Sequence, residues 1–124
     1  MTIVIYHNPD CGTSRNTLDL IRQSGEAYIV VEYLKEGWTK PQLLGLFSAA
    51  GLTAREALRT SKSPADELGL LDENVPDDAL LDAMIEHPIL VNRPFVCSPK
   101  GIRLCRPSEE VLVLLENPPS LITK

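Results

Sequence analysis

Residues 2–33 read TIVIYHNPDCGTSRNTLDLIRQSGEAYIVVEY, and this stretch decides the fold. Residues 2–6, TIVIY, are β-branched and aromatic, the composition of a buried strand. Residues 14–24 carry Leu18, Leu20 and Ile21 and stop before Gly25, which reads as a helix. Residues 28–33, YIVVEY, return to a strand. Strand, helix and strand with short connections predict a right-handed parallel unit. Between the first strand and the helix lies HNPDCGTSRN, residues 7–16, a run of turn formers and small polar residues around Cys11.

Further along, the middle of the chain reads as helical. Thr39 with Gln42, and Thr53 with Glu56, have capping-box spacing, and Ser63-Pro64 is an N-cap followed by proline at the first helical position. Residues 77–86, DDALLDAMIE, open with acids that suit a helix N-terminus and end before Pro88. Residues 95–98 (FVCS) and 102–105 (IRLC) then predict a β-hairpin around Pro99-Lys100-Gly101. Pro107-Ser108-Glu109-Glu110 opens a final helix, and the tail over 117–124 reads as irregular. Strand–helix–strand, helices, then strand–strand–helix is the plan of an α/β, thioredoxin-like mixed sheet with a helical insert over about 39–87. The whole of 1–124 reads as a single domain. Such a fold carries its reactive cysteine in the loop after the first strand, which is where Cys11 falls.

The composition narrows the function classes. A net charge of −5 argues against a nucleic-acid or membrane-surface binder, and no stretch approaches the length of a membrane span. The start MTIVIYHN lacks a signal-peptide pattern, so a cytoplasmic location is expected. Three cysteines, Cys11, Cys97 and Cys105, make a poor disulfide framework and fit a reducing compartment. Without C-x-x-C or ligand-spaced histidines, no metal site is expected.

The chemistry centres on Cys11. Thiolate, not thiol, is the nucleophile, and the N–H groups and positive end of a helix N-terminus favour it. The same N–H groups can hold an oxyanion. Gly12, Thr13 and Ser14 let the backbone come close and add hydroxyl donors. Free cysteine is among the most buried residue types, so Cys11 could be a small buried side chain, but its neighbours Asn8, Pro9, Asp10 and Gly12 predict an exposed surface loop. His7 either stabilises the thiolate or serves as a hydrogen-bonding residue at the strand end, while Asn8 and Ser14 either tie the loop or touch substrate. A thiolate and an oxyanion repel, so cations must compensate. Arg59, Arg93 and Arg106 stand out, the last two before prolines at the ends of the predicted hairpin. Arg103 alternates with Ile102 and Leu104 and is expected to point outward, and Arg15 reads as a helix surface charge. Cys97 and Cys105 read as structural. Pro94, just before a strand, sits where thioredoxin-like folds often carry a cis proline.

Taken together, IYHNPDCGTSRNTL, REALRT, HPILVNRPFV and RLCRPSEEVL closely resemble the glutaredoxin-linked arsenate reductase family, from Ile3 to about Leu114 and in the same order. The resemblance implies reduction of arsenate to arsenite, with glutathione as co-substrate and glutaredoxin as partner, and no tightly bound cofactor. It puts the catalytic cysteine at Cys11, the substrate arginines at Arg59, Arg93 and Arg106, and the nearby histidine at His7. In the implied mechanism Cys11 thiolate attacks arsenic(V) and displaces an oxygen as water. Glutathione then attacks and reduces the arsenic, glutaredoxin resolves the glutathione-linked species, and arsenite leaves after hydrolysis. The segment after Leu115 is shorter than in well-known members, which is expected to affect the tail rather than the chemistry.

Three other readings compete. A phosphatase-like arsenate reductase needs C-x5-R, but Thr17 stands there and Arg15 comes too early. A glutathione-dependent thiol oxidoreductase needs the thiolate but not three arginines. A thioredoxin-like regulatory binding module of the disulfide-switch type needs C-x-x-C, and Asn8 and Ser14 occupy both partner positions.

Overall fold

The computed structural model describes residues 2–120. The first strand, β1 (Ile3–His7), leads into helix α1 (Gly12–Ser24), which ends at Gly25 in the left-handed conformation at φ 75°. A side chain is strained there, and glycine is not. Strand β2 (Tyr28–Glu32) follows and pairs parallel with β1, Ile3 against Tyr28 through His7 against Glu32. Tyr33, read from sequence as the end of this strand, instead opens a short helix, α2 (Tyr33–Glu36). Helices α3 (Lys40–Ala50) and α4 (Asp77–Glu86) come next, then strands β3 (Phe95–Ser98) and β4 (Gly101–Leu104). The sheet order is β2-β1-β3-β4, with β3 antiparallel to both β1 and β4.

The chain forms two compact units. One holds the chain up to Glu32 and from Arg93 onward, and the other is Tyr33–Asn92. In the first, Ile3, Ile5 and Val96 from the sheet meet Leu18, Leu20 and Ile21 of α1, together with Cys105, Val111, Leu114 and Leu115. The predicted final helix is there, but as a 3-10 helix over Ser108–Leu114. Residues 117–120 are irregular, as expected of the tail, and the rest of that reading lies outside the described residues.

In the second unit α3 packs on α4, and Tyr33 stacks on Trp38 at 5.2 Å between ring centroids. Thr39 and Gln42 close the predicted capping box at the start of α3. Thr53 and Glu56 exchange the same reciprocal bonds (2.9 and 3.1 Å), yet no α-helix follows, and 53–72 is a run of turns rather than the helices expected. Ser63 does accept the Ala65 N–H at 3.3 Å, as an N-cap would, and donates to the Arg59 carbonyl at 2.5 Å, but the turn it opens does not grow into an α-helix. The segment is organised instead by Arg55, whose guanidinium donates to the carbonyls of Leu70, Asp72 and Val75 at 2.7–3.0 Å. The capping signal is local, whereas these partners lie far along the chain.

Candidate active site

Sheet register explains how distant residues meet at Cys11. In β1–β3 pairing Tyr6 faces Phe95, so the start of β3 lies beside the end of β1 and the loop that follows it. In β3–β4 pairing Phe95 faces Leu104, so Arg93 and Arg106 border the same end of the hairpin. Both precede prolines in cis peptide bonds, the first of them the expected one at Pro94. Arg106 brings Nη1 to 3.8 Å from Cys11 Sγ, and the same nitrogen donates to the Arg93 carbonyl at 3.2 Å.

Cys11 is the N-cap of α1, with extended backbone at φ −103° and ψ 122°. Its N–H donates to the Asn8 carbonyl at 3.0 Å, which folds the loop back onto the helix start. Contrary to the exposed loop expected, Cys11 is 7% exposed. It is nonetheless outside the hydrophobic cluster that takes in Cys105. Polar groups face its sulfur: the Ser14 N–H and the guanidinium groups of Arg93 and Arg106. Burial alone pushes its pKa up. The Ser14 backbone N–H, the charge of Arg93 and side-chain hydrogen bonds from Arg93 and Arg106 outweigh it, and the thiol is held below its ordinary range. The sulfur closes no formal cap bond, yet the Ser14 N–H favours its ionised form.

Burial wins at the other two thiols: nothing opposes it at Cys97, and at Cys105 the charge of Arg103 is outweighed. Burial raises Cys97 to about 11 and Cys105 to about 12. Cys105 is fully buried, as its structural reading requires, whereas Cys97 on β3 is only half-buried.

The loop residues divide into supports and rim. Ser14 Oγ lies 2.6 Å from His7 Nδ1 and accepts the Asn8 N–H at 3.0 Å. Asn8 Oδ1 in turn accepts the Asp10 N–H at 2.9 Å. His7, Asn8 and Ser14 are all buried, so Asn8 and Ser14 tie the loop together. Burial, followed by the nearby charges of Arg22 and Arg15, lowers the pKa of His7 against the opposing pull of Glu32. A neutral imidazole can accept the Ser14 hydroxyl proton. Gly12 is exposed, and Thr13 accepts the Thr17 hydroxyl at its carbonyl.

Arg103 points outward as expected and pairs with Glu110 at 2.7 Å. Arg59 belongs to the other unit, where it is buried, takes Leu90 O at its N–H (2.8 Å) and donates Nε to Ser61 O (3.0 Å). Arg15, read as a surface charge, makes a specific contact: Nη1 donates to the Pro9 carbonyl at 2.8 Å. The sequence carries one signal for it, a cation in the first turn of α1, where the dipole disfavours positive charge by about 0.3–1 kcal/mol.

Among the described residues no group of histidine, cysteine and carboxylate side chains could hold a metal ion, and no helix is long and apolar enough to cross a membrane.

A depressed thiol at a helix N-cap, flanked by arginines from a neighbouring hairpin on a β2-β1-β3-β4 sheet, defines a thioredoxin-like domain built around one nucleophilic sulfur. The chain belongs to the ArsC family, whose profile matches residues 6–114. It is 71% identical over 118 residues to the arsenate reductase ArsI2 of Synechocystis sp., covering 95% of this chain and 84% of that protein. It is 50% identical over 113 residues to the arsenate reductase of Escherichia coli K12, covering 91% of this chain and 80% of that one. A solved arsenate reductase from Vibrio cholerae superposes with a TM-score of 0.87 at 41% identity, over 93% of this chain and 98% of that one.

Proposed function

We propose that this protein is an arsenate reductase working in the cytoplasm as a single domain, with Cys11 as nucleophile and Arg59, Arg93 and Arg106 as oxyanion ligands. The observation that carries the reading is the Arg106 guanidinium 3.8 Å from a sulfur whose pKa is lowered. That arrangement holds a thiolate and leaves guanidinium donors for an incoming oxyanion. Membership of the ArsC family, and relatives that are arsenate reductases, support arsenate as that oxyanion.

The chemistry then follows from the thiol count. Cys11 thiolate attacks arsenic(V), an As–S bond forms, and a protonated oxygen leaves as water with no change in oxidation state. Arsenic(V) needs two electrons to become arsenic(III). Cys97 and Cys105 hold their protons to about 11 and 12 and are poor donors, so outside thiols supply the pair. Glutathione attacks the arsenic, a second As–S bond forms as another protonated oxygen leaves as water, and a glutaredoxin thiolate then attacks the glutathione sulfur. Glutathione and glutaredoxin leave as a mixed disulfide, arsenic takes the electron pair, and water hydrolyses the remaining As–S bond to free arsenite and Cys11. Gly12 and Thr13 follow the sulfur in the first turn of α1 and the Ser14 N–H faces it, while His7, Asn8 and the Ser14 hydroxyl keep the loop in place. No resident metal or organic cofactor takes part in this scheme.

The test is arsenate-dependent NADPH oxidation coupled through glutathione reductase and glutaredoxin. The wild type turns over and Cys11→Ser does not, while its circular dichroism stays native because the site lies outside the hydrophobic cluster. Turnover retained in Cys11→Ser would remove the assigned nucleophile. A wild type without turnover would favour a regulatory module.

A further inference from the structure

Arg15 sits oddly for a surface arginine. It lies in the first turn of α1, where the positive end of the helix repels it, and no acidic residue shares that turn. No carboxylate among the described residues pairs with it. Asp19, one turn on, accepts from Gln23 at 3.1 Å instead. The guanidinium is nevertheless fixed. Nη1 is bonded to the Pro9 carbonyl at 2.8 Å, and Nη2 lies 3.7 Å from where a side chain on Gly12 would begin. A helical side chain leans toward the N-terminus, so this cation lies over the backbone that flanks Cys11. It is not among the groups that lower the Cys11 pKa, which are Ser14, Arg93 and Arg106. A held, uncompensated charge at the edge of the site, not engaged with the sulfur, suits a second anion.

We propose that Arg15 docks a carboxylate of glutathione and so selects an anionic thiol donor, an assignment that rests on the reading of glutathione as co-substrate. Arsenate engages the guanidinium groups nearer the sulfur, and the tripeptide, with more carboxylates than ammonium groups, needs a cation of its own. Nη1 is taken by the Pro9 carbonyl, which leaves Nη2 and Nε as the donors for it. Arg15 is then a specificity-determining residue that also positions the loop through Pro9.

The test needs no arsenate, so it can fail independently of the arsenate reading. Cys11 thiolate attacks one sulfur of a disulfide, the old S–S bond breaks, a mixed disulfide forms, and the other half leaves as thiolate. The rate of this exchange, followed by intact mass near neutral pH, is compared for oxidised glutathione and for uncharged hydroxyethyl disulfide. In Arg15→Gln the ratio of the two rates falls about threefold to fivefold from the wild-type value, the worth of one exposed charge contact. Arg15→Lys keeps most of the preference, and Arg22→Gln on the same helix keeps all of it. Raising the salt narrows the gap between wild type and Arg15→Gln. If Arg15→Gln slows both disulfides in parallel, with the ratio unchanged, Arg15 is only a loop clamp and the proposal falls. It falls equally if Arg22→Gln shifts the ratio as much.

Discussion

Cys11 and Cys105 are the same side chain in two kinds of burial, and the difference lies in what surrounds each sulfur. Cys105 sits in the aliphatic cluster, where burial and the nearby Glu110 charge outweigh the opposing pull of Arg103 and hold its proton on. Cys11 is nearly as hidden, but an N–H and two guanidinium groups face it. Iodoacetamide alkylation across pH therefore separates them. Cys11 reacts with a midpoint below that of an ordinary thiol, Cys97 near pH 11, and Cys105 not until the fold opens. Arg106→Ala moves the Cys11 midpoint upward, and an unmoved midpoint would mean that the 3.8 Å contact does not tune the thiol. The stability signs are opposite. A depressed thiol adds stability as pH rises through its folded pKa, an increment lost again on acidification. Cys105 keeps its proton to about 12 in the fold, so stability falls above the unfolded thiol pKa of about 8.5, by up to about 1.4 kcal/mol per pH unit. Sequence identified Cys11 from its turn-forming neighbours. It missed the burial, because those neighbours define a loop without revealing that the ends of β3 and β4 close over it.

At the scale of elements, regular structure was the legible part and the irregular stretch was not. Helix α4 has the expected bounds, from Asp77 to Glu86, because acids, periodicity and a following proline all agree. The hairpin and the parallel β1–β2 pair were legible from β-branched runs and punctuation, though Gly101, read as part of the turn, pairs with Ser98 and moves the second strand to Gly101–Leu104 from the expected 102–105. Over 53–72 a genuine capping pair, Thr53 with Glu56, pointed to a helix that does not form. What fixes that region is Arg55 reaching carbonyls far ahead in the chain, a tertiary interaction with no local signature. Arg55→Ala is expected to lower stability by about 2 kcal/mol in urea denaturation, since partly buried carbonyls lose charge-assisted bonds. A loss below about 0.5 kcal/mol would show that water replaces the guanidinium freely.

Across the whole molecule the charge is unevenly divided, and this resolves how an acidic protein can be matched to an anionic substrate. Residues 33–92 carry ten acids against five bases, which accounts for the whole net charge of −5. The rest of the chain, which holds Cys11, carries seven of each. Within that balanced unit the arginines are not equivalent: Arg103 is neutralised by Glu110, while Arg106 is turned to the sulfur. The overall charge is thus a poor guide to the field at the site, and the placement of individual guanidinium groups governs it. Replacing Arg106 by Ala should cut kcat/KM for arsenate about 100-fold, the order seen when a preorganised donor to a developing charge is removed. Arg103→Ala should stay within about twofold, the worth of an exposed pair. Raising ionic strength should raise the arsenate KM of the wild type and leave that of Arg106→Ala flatter, since salt can screen only a field that is still there. Steady-state kinetics of the two variants at low and high salt decide the matter. Equal losses at Arg103 and Arg106 would mean that bulk positive charge, and not the guanidinium beside Cys11, draws the oxyanion in.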